Sequence, residues 1–386
     1  MDYAKLNTIA EISSGQGAPQ GSNSYSTTGM PFIKAGNLDD LLSTKNEYKS
    51  CQLVSQKIAQ KYKLKEYPTD TIVFAKSGMS AMKGRVYCLN NSSYVVNHLA
   101  TIVPDKNKVE PRYLKYFFQV FSPTKLIKDR AYPSIRLQDI GNVKVSLPVL
   151  TEQQSIVNLL DQADSLRHKR KQAIDLLDDY LKSAFLEMFG DPVLNTKKWQ
   201  LMKLSKVGTL ERGKSKHRPR NAPELLGGPY PLIQTGEVAN SGGYIKNYSQ
   251  TYSKLGLEQS RMWPIGTLCI TIAANIAKTG ILTFEACFPD SVVGFTPNEK
   301  VKTEYVQYWF KFLQKILEEK APESAQKNIN LAILRNLDIP VPPIELQDKF
   351  VEKTQIVENL RMTMKKQSHE LDSQFNALML KSFSIN

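Results

Sequence analysis

Apolar residues recur at steps of three and four along two unusually long stretches of this chain. The first reads Ile156, Leu159, Ala163 and Leu166, then, past polar Arg170, Ala173, Leu177, Tyr180 and Ala184. The second reads Phe350, Val357, Leu360, Met364, Leu371, Phe375 and Leu378, with Thr354 and Gln367 at intervening positions. That spacing predicts one face of a helix. Neither 151–189 nor 344–386 contains a glycine or a proline, so neither holds a helix breaker. Each begins just after prolines, Pro148 in one case and Pro342-Pro343 in the other. The first meets the stop signal Gly190-Asp191-Pro192, and the second continues to the last residue. A helix of this length extends for about 58 Å. A single helix lying on a globular domain could carry such a stripe, but two of equal length favour a coiled-coil pair.

The remaining chain alternates in the manner of strands. Thr71–Ala75 and Thr267–Thr271 are β-branched, apolar runs that follow turns. Arg85–Leu89 and Gly280–Phe284 follow Gly-containing turns and are expected to be their hairpin partners. Tyr113–Phe121 and Tyr305–Leu317 carry helical spacing, while Val143–Leu147 and Leu337–Val341 predict short strands just before the long helices. These elements come in pairs because the chain is duplicated. Lys5-Leu6 recurs as Lys203-Leu204, Pro31-Phe-Ile as Pro231-Leu-Ile, and Tyr113-Leu-Lys-Tyr-Phe-Phe118 as Tyr305-Val-Gln-Tyr-Trp-Phe310. Val145-Ser-Leu-Pro148 recurs as Ile339-Pro-Val-Pro342, and Gln153 as Gln347. The expected fold is α+β: two similar mixed α/β domains joined by two long helices, a pseudo-two-fold internal repeat.

Composition sharpens this picture through the distribution of charge. The 386 residues carry 51 basic and 37 acidic side chains, a formal net charge of +14. Residues 1–150 hold 20 basic against 11 acidic, and 191–343 hold 20 against 13. The helical stretches hold 5 against 7 in 151–190 and 6 against 6 in 344–386. The excess positive charge therefore lies on the two repeated domains, which suits a polyanionic partner. If the helices pair antiparallel, the two domains are related by a dyad, as are the strands of duplex DNA. No apolar run is long enough to span a membrane, and the start MDYAKLNTIAEISSG lacks the features of a secretory signal. Cys51, Cys88, Cys269 and Cys287 form no CxxC pair, so free thiols in a reducing cytoplasm are expected.

The layout resembles the specificity subunit of type I restriction-modification systems. The resemblance rests on Val145-Ser-Leu-Pro148 leading to Glu152-Gln153, on Ile339-Pro-Val-Pro342 leading to Gln347, on Met188-Phe-Gly-Asp-Pro-Val193 leading to Trp199, and on the repeated Pro31 and Pro231 turns. Leu346 departs from it, standing where the first repeat has Glu152. The resemblance implies target recognition domains at 1–150 and 191–343, and spacer helices at 151–190 and 344–386 forming an antiparallel coiled coil. It implies a non-catalytic subunit that binds double-stranded DNA at a bipartite target, one half per domain. Its implied partners are two DNA methyltransferase subunits using S-adenosylmethionine and, in many such systems, ATP-dependent restriction subunits.

The residues themselves point away from catalysis. There is no Asn/Asp-Pro-Pro-aromatic motif, no GxxxxGK[ST] phosphate loop and no metal-ligand spacing among His98, His168, His217 and His369, so no cofactor is expected. Pro289-Asp290 followed by Glu318-Glu319-Lys320 loosely fits a metal-dependent nuclease, but Glu318 and Lys320 fall on a predicted helix, where residues two apart diverge. Other readings are a coiled-coil scaffold whose basic domains bind RNA or acidic proteins, and an enzyme fused to a recognition domain.

Three pairs of loops are candidate DNA contacts. Arg212, Lys214, Lys216, His217, Arg218 and Arg220 form the densest basic cluster, suited to phosphates with some base reading. Its counterpart, 14–20, offers Gln16 and Gln20, and glutamine can read adenine edges. Lys76, Ser77, Lys83 and Arg85 match Asn275 and Lys278 around the hairpin turns. Arg130, Tyr132, Ser134 and Arg136 match Gln326, Lys327 and Asn328 before the final strand of each domain. Lys34 and Gln234, after the repeated Pro-aromatic or Pro-Leu turns, complete the set. Arg167-His-Lys-Arg-Lys171 is a basic run within a net acidic helix and reads better as a solvated face than as a DNA stripe.

Overall fold

A computed structural model of the full chain describes residues 3–217, 219–273, 277–320 and 329–383. It divides into two compact units, Met1–Arg170 with Gln367–Asn386, and Lys171–Lys366. Each long helix, Leu150–Phe189 and Ile344–Ser382, therefore contributes one segment to each unit.

In the first unit Ala10–Ser14, Leu99–Pro104, Ile72–Ala75 and Val86–Cys88 form an antiparallel sheet in that order. In the second, Gly208–Arg212, Val292–Pro297, Leu268–Thr271 and Thr279–Leu282 repeat the order, with Tyr244–Ile245 added in parallel at the edge. The expected hairpins are thus present, with Ile72 opposite Cys88 and Leu268 opposite Ile281. A further four-stranded sheet, Gln52–Val54, Met30–Ile33, Ser93–Val95 and Glu66–Tyr67, extends the first unit. Its counterpart in the second is the pair Leu226–Leu232 and Gln250–Tyr252. The helices expected from spacing run Pro111–Phe121 and Thr303–Lys320.

The ends of each repeated domain are clamped by a two-stranded ladder, Tyr3–Lys5 on Lys144–Ser146 and Gln200–Lys203 on Asp338–Val341. The motif glutamines explain how the long helices attach. Gln153 is fully buried, accepts from Glu110 N (2.9 Å), and donates to Lys108 O (3.2 Å) and Pro148 O (2.8 Å). Gln347 repeats the pattern with Lys302 N (2.8 Å), Lys300 O (3.0 Å) and Pro342 O (2.9 Å). An amide supplies both donors and acceptors, so one side chain closes three backbone groups at each junction. Glu152 is exposed, so Leu346 in its place disturbs none of these bonds.

The helices pair antiparallel in each unit. In the first, Val157 and Leu160 share a core with Phe375, Met379 and Phe383; in the second, Leu181, Phe185 and Phe189 share one with Phe350 and Val357. One expectation is corrected here. Leu159, Leu166 and Tyr180, placed on the inner stripe by periodicity, are 48%, 56% and 48% exposed, as is Leu360 at 46%. Ile156, Ala163, Leu177 and Ala184 of that stripe are buried or half-buried, and the seam also takes in Gln153, Val157, Leu160, Leu181 and Phe185, with Asp164, Arg167, Ile174 and Met188 half-buried along it. The steps are those of a heptad. Polar residues occupy seam positions, so an apolar search slid onto the neighbouring leucines.

Candidate nucleic-acid interface

Backbone hydrogen bonds bring the separated candidate loops of each unit together at one end of three neighbouring strands of its sheet. In the first unit Gly15 N donates to Leu99 O (3.4 Å) and Asn97 N to Gln16 O (2.8 Å). Lys76 N donates to His98 O (2.9 Å), Ile135 N to Lys76 O (2.7 Å), and Gly78 N to Pro133 O (2.9 Å). In the second unit Gly213 N donates to Val292 O (2.9 Å), Ile272 N to Ser291 O (3.0 Å), and Ile329 N to Ile272 O (3.1 Å). The same three crossings occur in both halves. Glycine is required where the first loop meets the strand: a Cβ on Gly15 would lie 2.0 Å from Val95 O, and one on Gly213 2.3 Å from Pro289 O.

Gln16, Lys76, Ser77 and Ser134 meet in the first cluster, with Ser77 bridged to Ser134. Arg130, Tyr132 and Arg136 flank it; all are exposed, Tyr132 by 83%, and neither arginine pairs with a carboxylate among the described residues. Gln20 is exposed, its amide turned to Ala18 O (2.9 Å). In the second cluster Asp290 organises the basic loop: Arg220 ion-pairs with it at 2.5 Å and Arg212 Nε donates to its carbonyl. Gln259 Oε1 accepts from Lys216 N (2.6 Å) and His217 N (3.0 Å), fixing the backbone while the Lys214 and Lys216 side chains face solvent. Arg218, Asn275, Gln326, Lys327 and Asn328 lie outside the described residues.

Five candidates are engaged elsewhere, among them Gln16, whose Oε1 accepts from Lys65 N at 3.2 Å. Arg85 ion-pairs with Asp39, with Lys83 3.9 Å from the same carboxylate. Lys34 lies 4.4 Å from the Tyr25 ring centre and donates to Gln52 Oε1 at 2.8 Å. Gln234 donates to Gln250 and caps the short helix Thr235–Ala239 together with Glu237. The nuclease-like match fails on its secondary structure, because 318–320 belong to the helix Thr303–Lys320, and Asp290 serves the arginines.

Sequence reasoning missed the central segment of each cluster, Asn97-His98 and Asp290-Ser291. The His98 ring nitrogen Nδ1 lies 2.8 Å from Ser77 Oγ, which holds the exposed imidazole over the loop junction. Their signal was the repeat itself, since each segment precedes the same sheet strand. Lys182, Lys278 and Lys311 line a cavity of about 380 Å³ together with Asp178, Asp179, Gly242 and Gly243. The Lys311 ammonium lies 3.9 Å from the Tyr308 ring centre. Nothing linear joins these lysines, which come from three elements.

The thiols are poor nucleophiles. Burial, helped by nearby carboxylates, pushes Cys51 and Cys88 up to about 12, and burial raises Cys269 and Cys287 as well. Among the described residues no group of His, Cys, Asp and Glu has metal-binding geometry, and no helix is long and apolar enough to cross a membrane.

Residues 1–176 and 196–372 each match the family model of the type I restriction modification DNA specificity domain. The chain is 22% identical, over 73% of its length and 69% of the relative's, to the putative type I restriction enzyme MjaX specificity subunit of Methanocaldococcus jannaschii. It is 27% identical, over 38% of its own length and 34% of the relative's, to the MjaIX specificity subunit of the same organism. Among solved structures, it superposes on a chain of a type I R-M system, described for complex assembly and conformational transition, with a TM-score of 0.62 (16% identity, 99% and 97% coverage). The type I S subunit from M. genitalium gives 0.57 (14%, 99% and 96%).

Proposed function

The chain belongs to the type I restriction-modification DNA specificity family, and from that premise we propose how its own residues carry out recognition. As a member, it is a non-catalytic subunit that recognises a bipartite DNA target and directs the other subunits of the complex to it. The observation that carries our reading is the duplicated loop cluster, one per unit, at the same end of three equivalent neighbouring strands. We assign one half of the target to 1–150 and the other to 191–343. In the first domain Lys76, Ser77, His98, Arg130, Tyr132 and Arg136 face the duplex, and Gln16 braces the loop beneath them. In the second, Lys214 and Lys216 contact phosphates, while Arg212 and Arg220, held by Asp290, present guanidinium forks suited to guanine.

The finer partner assignment is two methyltransferase subunits that use S-adenosylmethionine, and restriction subunits that use ATP. Leu159, Leu166, Leu176 and Tyr180 stay exposed on the first long helix and offer apolar contact to such subunits. Sequencing of genomic methylation with and without this gene tests the reading. Loss of one bipartite motif on deletion is the expected result. An unchanged methylome, with the partner subunits expressed, overturns it.

A further inference from the structure

One chain of charges occurs twice, once in each unit. In the first, Lys45 Nζ lies 3.6 Å from Asp164 Oδ2, Asp164 Oδ1 lies 3.1 Å from Arg167 Nη1, and Arg167 Nε lies 2.6 Å from Asp372 Oδ1. In the second, Lys246 Nζ lies 2.5 Å from Glu358 Oε1, and Glu358 Oε2 lies 3.4 Å from Arg361 Nε. Arg361 then grips Asp178 with both terminal nitrogens, at 2.7 and 3.1 Å. Each chain ties a loop of the globular domain to one long helix, and that helix to the other. Glu358, Arg361 and Asp372 each follow Asp164, Arg167 and Asp178 by the step that separates Gln347 from Gln153. The halves have diverged at most helix positions, yet both keep these charges.

Surface decoration does not account for this. Exposed ion pairs contribute about 0–1 kcal/mol and are readily lost. Here the Arg361 and Arg167 side chains are only 11% and 29% exposed, and Glu358 and Asp164 only 22% and 20%. Polar groups on a helix seam are less stabilising than leucine, and their best-attested use is to select one register. The guanidinium suits the task, because its planar fork can hold carboxylates from two elements at once, whereas a lysine is a single point charge. A slip of one heptad would carry each arginine about 10 Å from its partners.

We propose that Arg167 and Arg361 are positioning residues for DNA recognition: each locks its recognition domain at one place on the paired helices, so that a single number of unread base pairs separates the two half-sites. This rests on the bipartite reading above, because both long helices pass from one unit into the other.

The test uses the full chain with its modification subunits in cells lacking the native gene, and reads the methylated motif across the genome. The native chain is expected to give one motif with one spacing. Arg361→Glu places like charges beside Asp178 and Glu358. It is expected to keep both half-site sequences, to lower methylation at the native spacing by about tenfold, and to spread it to spacings one or more base pairs different. The reversed pair, Arg361→Asp with Asp178→Arg, is expected to restore the single spacing, and Arg167→Glu with Asp372→Arg should behave in parallel. The proposal is overturned if Arg361→Glu methylates only the native spacing at any level, since a merely structural role lowers yield without widening spacing. If Arg361→Glu abolishes methylation altogether, the reversed pair decides, and its failure to restore the native motif also overturns the proposal. Absence of any bipartite motif with the native chain would instead remove the recognition reading.

Discussion

At the scale of single residues, the side chains that matter most to the architecture are polar and buried. Gln153 and Gln347 each satisfy three backbone groups at the foot of a long helix. Gln347→Leu keeps the bulk but leaves an N–H and two carbonyls without partners. It should cost about 3 kcal/mol in urea unfolding of the full chain, and Gln153→Leu should behave alike. For DNA, Lys214→Ala with Lys216→Ala should lower the slope of log affinity against log salt by about 2, as expected for two lost phosphate contacts. Lys34→Ala should leave that slope unchanged, because its ammonium is held by Tyr25 and Gln52. Both glutamines were visible in the sequence as a repeated motif. Their bonding was not, since the partners stand 43 and 45 positions away in the chain.

At the scale of elements, the helix pair is held by aromatic packing at one end of each seam and by charge along it. Phe185 lies 5.5, 6.2, 5.2 and 5.4 Å, ring centre to ring centre, from Tyr305, Tyr308, Phe312 and Phe350. Phe185→Ala should therefore destabilise the second unit by about 3–5 kcal/mol, read as a lower thermal transition. Leu166→Ala, in the first unit, should change that unit's transition little, because the side chain faces solvent. Element boundaries were largely legible: the breaker-free stretches end within a residue of Leu150–Phe189 at both ends and start at Ile344. The inner face was not. Asp164 and Arg167 lie on the seam, and a hydrophobicity pattern counts them as outward-facing residues.

At the scale of the whole molecule, duplication is the organising fact, and it predicts modularity. Replacing residues 1–150 with the corresponding domain of a relative should change one half of the methylated motif and leave the other. A change in both halves would contradict independent reading. The sequence by itself determined the two-fold repeat, the long helices, the hairpin runs and the confinement of positive charge to the repeated domains. All of these are local or compositional, and they survive without knowledge of contacts. Only the tertiary structure decided which candidate side chains meet. It drew Arg85 to Asp39 and Gln234 to Gln250, brought Asn97-His98 and Asp290-Ser291 into the loop clusters, and closed each charge chain across the two helices. Hydrogen bonds and ion pairs act over a few ångströms of space. Partners separated by tens or hundreds of residues leave no mark in the spacing of either one.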